Sequence, residues 1–247
     1  MGMKRSLQRE TLEKNERGCR VHLKPPNGGT LARHLTRLGH EVAVVNSRAP
    51  ETLARLAEET GAIPVTVAEA ARAGEVVIVT IPQKNIPSLP PDLFRGPADS
   101  VAVVDTGNYY PRQRDGRIDA IEAGTLESRW VEQQLDRPVV KAFNNIYAAH
   151  LRDFGQPAGT TWRIALPVVG DDDEGAKAVV LRLVDEMGFD GIEAGGLDES
   201  WRQQPGTPVY CADLDATGVR ALYQRRARIE RRSGATASSH GTWVRPA

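Results

Sequence analysis

Apolar positions along this chain fall into two rhythms that alternate from Gly29 onward. Over Thr30 to Leu38, the residues Leu31, Leu35 and Leu38 recur at helical spacing, and Gly39 supplies the stop. Val42, Ala43, Val44 and Val45 then follow one another within Glu41 to Asn46. Unbroken runs of this kind read as strands buried on both faces, as in parallel sheets. Pro50 to Thr60 is a second amphipathic helix, closed by Gly61, and Val65 and Val67 flank a short strand or edge. Thr66, with Glu69 three residues on, forms a capping box for a helix over Val67 to Ala73. The buried type of run returns in Glu75 to Ile81, stopped by Pro82, and in Ser100 to Thr106, with Pro87 to Pro97 as a short crossover between them. After a polar excursion from Asn108 to Gln133, with a helix near Leu126 to Leu135, it returns in Pro138 to Phe143 and Arg163 to Gly170. Glu174 to Met187 reads as a helix ended by Gly188, and Phe189 to Ala194 as a last short strand.

Strands and helices alternating at this spacing build right-handed βαβ units. The expected fold is therefore α/β, a doubly wound and mainly parallel sheet of Rossmann type, with a small C-terminal region. Ligands in such folds bind outside the carboxyl ends of the strands. The residues just after each strand become the candidates.

After the second strand stand Asn46, Ser47 and Arg48. NAD-binding proteins of this fold place an acidic residue there to accept the ribose hydroxyls. Here the position is neutral, Arg48 can pair bidentately with a 2′-phosphate, and Ser47 can donate to it. The competing reading is an ordinary polar turn in which Asn46 caps the next helix; the place in the fold favours phosphate, hence NADP(H). Thr80, Ile81 and Pro82 follow the next strand and would lie over the ribose and nicotinamide, unless Pro82 is a plain strand terminator. Beyond the following strand, Gly107 allows close backbone approach, while Asp105 and Asn108 are cofactor contacts or turn formers. Tyr109, Asn144 and Asn145 are candidates for a substrate pocket, the two asparagines being equally able to cap a helix.

The five histidines are scattered. His34 and His40 read as surface residues, and His150, just past the Asn-Asn turn, as either cleft-facing or surface. There is no metal-spaced His and Cys cluster and no nucleophile elbow, so no metal is expected. That scarcity suits hydride transfer between two bound molecules, which needs geometry and water exclusion more than an acid or base.

Gly28-Gly29-Thr30-Leu31-Ala32, Val45 to Arg48, Val104 to Tyr110, Val140 to Asn145 and Gly195-Gly196-Leu197-Asp198 together make the chain, over Gly28 to Leu222, resemble the NADP-dependent oxidoreductases related to reductases of the deazaflavin coenzyme. The resemblance implies NADPH binding with Ser47 and Arg48 on the 2′-phosphate. It also implies hydride exchange with a flavin-like or other small acceptor, a C-terminal region that shapes the substrate pocket (Gly196 among its residues), and a homodimer. The chain divides into a disordered or solvated arm (1–20), the dinucleotide-binding domain (21–195), the small C-terminal region (196–222) and a disordered tail (223–247), the arm and tail being read from their polar, charge-rich composition. Two other readings stay open: a non-catalytic dinucleotide sensor, and a small imine or pyrroline reductase using Tyr109, Tyr110 or His150 as proton donor.

The chain departs from the family where the Gly-x-Gly-x-x-Gly fingerprint should stand. Gly28 holds the third position, but Leu23 and Pro25 hold the first two. Proline offers no amide to a pyrophosphate and adds bulk at the contact. Arg20-Val21-His22-Leu23 is a poor central strand, because Arg20 and His22 would need partners in the sheet. The expectation is that residues 1 to about 27 replace the family's first strand, a central one, whose loss would open a seam in the sheet.

Composition changes this picture little. Lys plus Arg and Asp plus Glu both number 32, which argues against a nucleic-acid or anionic-membrane partner. No apolar run approaches the roughly 20 residues of a membrane helix, and the charged Met1 to Arg20 segment lacks the apolar stretch of a signal peptide. Two distant cysteines fit a reducing compartment, so the expected location is the cytoplasm.

Overall fold

The computed structural model describes residues 18–22, 27–46, 50–72, 75–91, 93–94, 101–171 and 175–224. Six strands form one parallel sheet: β1 (Gly18–His22), β2 (Glu41–Val45), β3 (Ile63–Pro64), β4 (Val76–Val79), β5 (Ala102–Asp105) and β6 (Val140–Lys141). Their order is β3-β2-β1-β4-β5-β6, the doubly wound arrangement whose strand order reverses between β1 and β4.

Alternation within the strands assigns the two faces. Val76, Ile78 and Val104 join a core with Leu31 and Leu35 of α1 (Asn27–Arg37) and with Val180 and Val184 of α7 (Ala176–Glu186). Val77, Val79 and Val103 face the other way, onto Trp130, Val131 and Leu135 of α5 (Glu127–Leu135) and onto Ile86. Both faces are covered, which is why these strands read as unbroken apolar runs.

The helix ends follow local chemistry. Gly39 closes α1 with φ 88°, its N–H bonded to Thr36 O and that of His40 to Leu35 O. This left-handed stop is open to glycine at no steric cost. The capping box stands as expected: Thr66 N–H donates to Glu69 Oε2 at 2.8 Å, and Glu69 N–H reaches Thr66 Oγ1 at 3.4 Å, opening α3 (Val67–Arg72).

Four expectations change. First, the seam is filled: β1 lies parallel to both neighbours, with Val21 opposite Val44 on one side and Ile78 on the other. The strand begins at Gly18, inside the span read as an arm. Second, β3 sits at Ile63–Pro64, upstream of the Val65–Val67 edge, and pairs with Ala43 and Val44. Third, β7 (Ala165–Val168) and β8 (Asp190–Glu193) form a separate two-stranded parallel sheet, joined to the first by a single antiparallel bridge, Lys141 to Val169. Fourth, His34 and His40 are buried. The His34 imidazole lies 3.1 Å from Arg152 O, and His40 lies 2.8 Å from Glu186. Each closes a helix contact that a periodicity argument, confined to one helix, cannot see. Burial, aided by the Arg37 charge, pulls the His34 pKa down.

The C-terminal segment continues through a 3₁₀ turn (Leu197–Gln203) into α8 (Ala216–Gln224). Its Tyr223 and Gln224, placed at the head of the tail by sequence, are helical. Val219 of α8 packs on Ala165 and Ile192. Among the described residues, no helix is long and apolar enough to cross a membrane.

Candidate functional site

The carboxyl ends of β4, β5 and β6 open on a cavity of about 480 Å³, within the usual range of small-molecule sites. Thr80 and Ile81 follow β4; Thr106, Gly107 and Asn108 follow β5; Asn144 and Ile146 follow β6; Tyr147 and His150 lead into α6 (Ala148–Asp153). Tyr110, Arg114, Tyr210 and Cys211 close the far side.

A buried ion pair lies behind the Thr106–Asn108 lining. Lys141 and Asp105 are almost wholly shielded from solvent, with Nζ 2.8 Å from Oδ2. Lys141 also donates to Gly107 O, while Asp105 accepts from Gly107 N–H at 2.7 Å and from Ser128 Oγ at 3.1 Å. A buried pair holds only when its remaining hydrogen-bonding capacity is met, and here the partners fix the Asp105–Asn108 turn. A Cβ added at Gly107 would lie 3.0 Å from Asp105 Oδ1, so the turn accepts no side chain without displacing the carboxylate.

A second buried network forms one wall. Asn108 Nδ2 donates to Asn144 O, and Asn144 Nδ2 donates to Asn108 Oδ1, both at 2.9 Å. Asn144 Nδ2 also reaches Gln203 O at 2.8 Å, Gln203 Nε2 donates to Asn144 Oδ1 at 2.8 Å, and Tyr223 OH donates to Gln203 Oε1 at 2.6 Å. The amides thus tie β5, β6, the 3₁₀ turn and α8 together. Beneath Gly107, Gln83 is fully buried with neither amide atom partnered among the described residues. Such a group costs about 1–3 kcal/mol.

Beside the cavity, Glu127 accepts from Tyr109 N–H at 3.0 Å. Burial, opposed by the Lys141 charge and by that hydrogen bond, pushes its pKa up to about 7. On the cavity wall the Tyr110 and Tyr210 hydroxyls are hydrogen-bonded to each other, and burial followed by that bond raises Tyr210. Burial raises the Cys211 thiol as well. His150 lines the cavity with Nδ1 2.6 Å from Asp213 Oδ2.

The structure brings Thr80, Ile81, Gly107, Asn108 and Asn144 together on the cavity. Pro82 is buried at its margin, before the Gln83–Ser88 turn. Asp105 faces Lys141 rather than the open space. Tyr109 points away, donating to Glu122 at 2.9 Å, and Tyr110 takes the place expected of it. Asn145 is buried, with its carbonyl accepting from Cys211 N–H at 2.8 Å. After β2, Asn46 Nδ2 donates to Thr52 Oγ1 at 2.9 Å. Gly28 is buried in the first turn of α1, beyond the end of β1. Gly196 lies elsewhere, 3.0 Å in Cβ terms from Asp171 Oδ1, on a surface that Arg129 knits to Asp171 and Asp198. Ser47, Arg48, Leu23 and Pro25 are outside the described residues.

Sequence reading missed Lys141, Glu127, Gln203, Tyr210 and Asp213. Lys141 had a signal: a lone lysine inside an apolar strand demands a buried counter-charge, and Asp105 ends the neighbouring strand. Gln203, Tyr210 and Asp213 lie in an aperiodic stretch and had none.

Residues 27–109 match the family described as NADP oxidoreductase, coenzyme F420-dependent. Protein YjhV of Escherichia coli K12 is 47% identical over 67 residues, 27% of this chain, and the match spans about half (48%) of that relative's length. A hypothetical protein, SMa0349 from Sinorhizobium meliloti, shares the fold at 24% identity and a TM-score of 0.68, over 83% of this chain and 98% of its own. A protein from Arthrobacter sp. FB24, whose description as an F420-dependent NADP-reductase is itself provisional, aligns at 21% identity and a TM-score of 0.61, over 74% and 87% of the two chains. The fold is thus Rossmann-like, shared with proteins of the oxidoreductase class.

Proposed function

We propose that this chain, whose residues 27–109 match the coenzyme F420-dependent NADP oxidoreductase family, passes a hydride between NADPH and a small flavin-like acceptor such as the deazaflavin coenzyme. The observation that carries the reading is the cavity at the carboxyl ends of β4 to β6, adjoining the point where the strand order reverses. In this fold that is where a dinucleotide lies.

The residues present fit a dinucleotide at the nicotinamide end. Gly107 leaves room for close approach, Thr80 and Asn108 offer polar contacts, and Ile81 and Ile146 give the ring an apolar surface. The adenosine end depends on Asn46, Ser47 and Arg48, with Arg48 pairing with the 2′-phosphate. The pyrophosphate corner depends on the N-terminus of α1, an 11-residue helix whose end favours anions, with Gly28 as the surviving glycine. NADPH supplies the hydride. The protein's part is to hold it against the acceptor and keep water away. A homodimer in the cytoplasm belongs to the same reading, and light scattering of the purified protein tests the dimer.

The direct experiment is a titration with NADPH and with NADH, followed by tryptophan fluorescence, on the wild type and Arg48→Ala. Loss of a charge-assisted contact worth about 1.5–3 kcal/mol weakens NADPH by roughly 10- to 100-fold and leaves NADH nearly unchanged. Equal losses for both cofactors overturn the phosphate assignment. No binding of either by the folded wild type favours the non-catalytic reading.

A further inference from the structure

We infer that His150, steered by Asp213, is the proton donor to the hydride acceptor in this cavity; the inference rests on the NADPH-dependent reading above. His150 lines the space into which an acceptor would enter, whereas Asp213 stands behind the ring, outside the lining. Nδ1 and Asp213 Oδ2 are 2.6 Å apart, without the alignment of a linear hydrogen bond. The other nitrogen, Nε2, has no protein partner among the described residues. A carboxylate at Nδ1 fixes the ring's orientation and supports its imidazolium form, and it is from that form that Nε2 delivers a proton.

The ring is also held in place. Phe154 stacks on one face, with centroids 4.6 Å apart and planes 17° from parallel, and Tyr147 meets it edge-on at 5.2 Å. Asp213 has a left-handed backbone (φ 48°), as does Cys211 (φ 53°), and Cys211 N–H is pinned to Asn145 O at 2.8 Å. Left-handed non-glycine residues persist where surrounding structure over-determines them, and they gather at functional sites. The effect here is to bring a carboxylate from the C-terminal region to a histidine of α6.

The other titratable groups around the space are less suited. Tyr210 is tied to Tyr110 and raised by burial, and the Cys211 thiol is raised by burial. Arg114 is engaged with Asp115 and Asn108 O. Asp153, on the same helix as His150, is paired with Arg152 and held below the usual carboxylate range by it.

The reaction balances without a further reagent. The hydride leaves the dihydronicotinamide carbon and bonds to an electrophilic ring carbon of the acceptor. The displaced π pair moves to a ring nitrogen, which takes the proton from Nε2. His150 regains a proton from water at the cavity mouth. The net change is NADPH plus acceptor plus one proton, giving NADP⁺ and the reduced acceptor.

The test uses the full chain, NADPH and oxidised coenzyme F420 as the acceptor probe, with His150→Gln and Asp213→Asn beside the wild type. Loss of a general acid lowers kcat by about 10²–10⁴-fold, with NADPH affinity unchanged by fluorescence; Asp213→Asn gives a smaller loss in kcat at unchanged KM. Independently of turnover, acylation of His150 by diethyl pyrocarbonate, located by peptide mass spectrometry, slows when NADP⁺ and F420 fill the cavity, and far less with NADP⁺ alone. A His150→Gln enzyme that keeps its kcat, or a His150 that F420 does not shield, overturns the proton role alone. A wild type that binds NADPH yet passes no hydride to F420 overturns the acceptor and the proton role together. A wild type that binds no NADPH overturns the functional reading itself.

Discussion

The two sides of the cleft are built on opposite principles. On the β5–β6 side, side chains do the organising: Lys141 against Asp105, and the Asn108, Asn144, Gln203 and Tyr223 chain, are buried and tightly partnered. On the β1–α1 side the described contacts of the strand are backbone pairings. A strand whose sequence includes Arg20 and His22 holds its place by parallel pairing with β2 and β4, and Gly28 remains of the glycine fingerprint. A polar network fails when one member is removed, because the rest are left buried without partners. A backbone-organised strand tolerates side-chain change. The two sides should therefore respond to mutation in different ways.

The largest effect is expected at the ion pair of the polar side. Lys141→Met leaves Asp105 buried with its carboxylate uncompensated, and breaking such a pair costs about 3–5 kcal/mol. Urea unfolding at neutral pH measures it. The double variant Lys141→Met with Asp105→Leu removes both charges and should recover most of the loss. If the double variant is as unstable as the single one, the pair is not what organises this wall.

Next comes Glu127. Its carboxyl is pushed up to about 7 by burial, so the folded protein holds a proton that the unfolded chain releases near its ordinary value of 4.5. The folded state therefore binds more protons between those two values, and stability is fully present below the lower one. It falls as pH rises toward 7 and is flat above. Glu127→Gln keeps an acceptor for Tyr109 N–H and removes the titration. Against the wild type it should gain of the order of 1–3 kcal/mol at pH 8 and nothing at pH 4. Thermal unfolding across that range checks the sign, and a gain at low pH would contradict the assignment.

A smaller effect is expected where the polar wall reaches α8. Tyr223→Phe deletes the hydroxyl donating to Gln203 Oε1 and leaves a buried acceptor unmet, at a cost of about 1 kcal/mol. Tm is the readout, and an unchanged Tm would mean that α8 is held by Val219 and its apolar neighbours alone.

The same division explains what the sequence made legible. The apolar runs of β2, β4 and β5 are visible because both faces of the sheet are covered, and Gly39 and Gly61 end their helices where the spacing says they should. The cleft residues Thr80, Gly107, Asn108 and Asn144 were legible for a related reason: in a parallel sheet, a position after a strand is a position in space. Residues that come to the site from outside that logic were not. Tyr210 and Asp213 arrive from an aperiodic stretch placed by backbone conformation at Cys211 and Asp213. His34 and His40 owe their burial to helices far away in sequence. Asp105 was legible as a strand-end residue and turn former, whereas its pairing with Lys141 follows only from the register of β5 with β6.

The smallest expected effect lies on the backbone-organised side, and it cuts most directly at the contrast. A central parallel strand favours β-branched apolar residues, on a scale spanning about 1 kcal/mol per position. Arg20→Val with His22→Val should therefore raise stability by about 1 kcal/mol while leaving the sheet order intact. Stability from urea unfolding, with hydrogen exchange at the β1 amides, reads both. A gain with slower exchange means that β1 keeps its place despite its side chains. A loss means that Arg20 and His22 make contacts that hold the strand, and this side of the cleft, like the other, is organised by polar side chains.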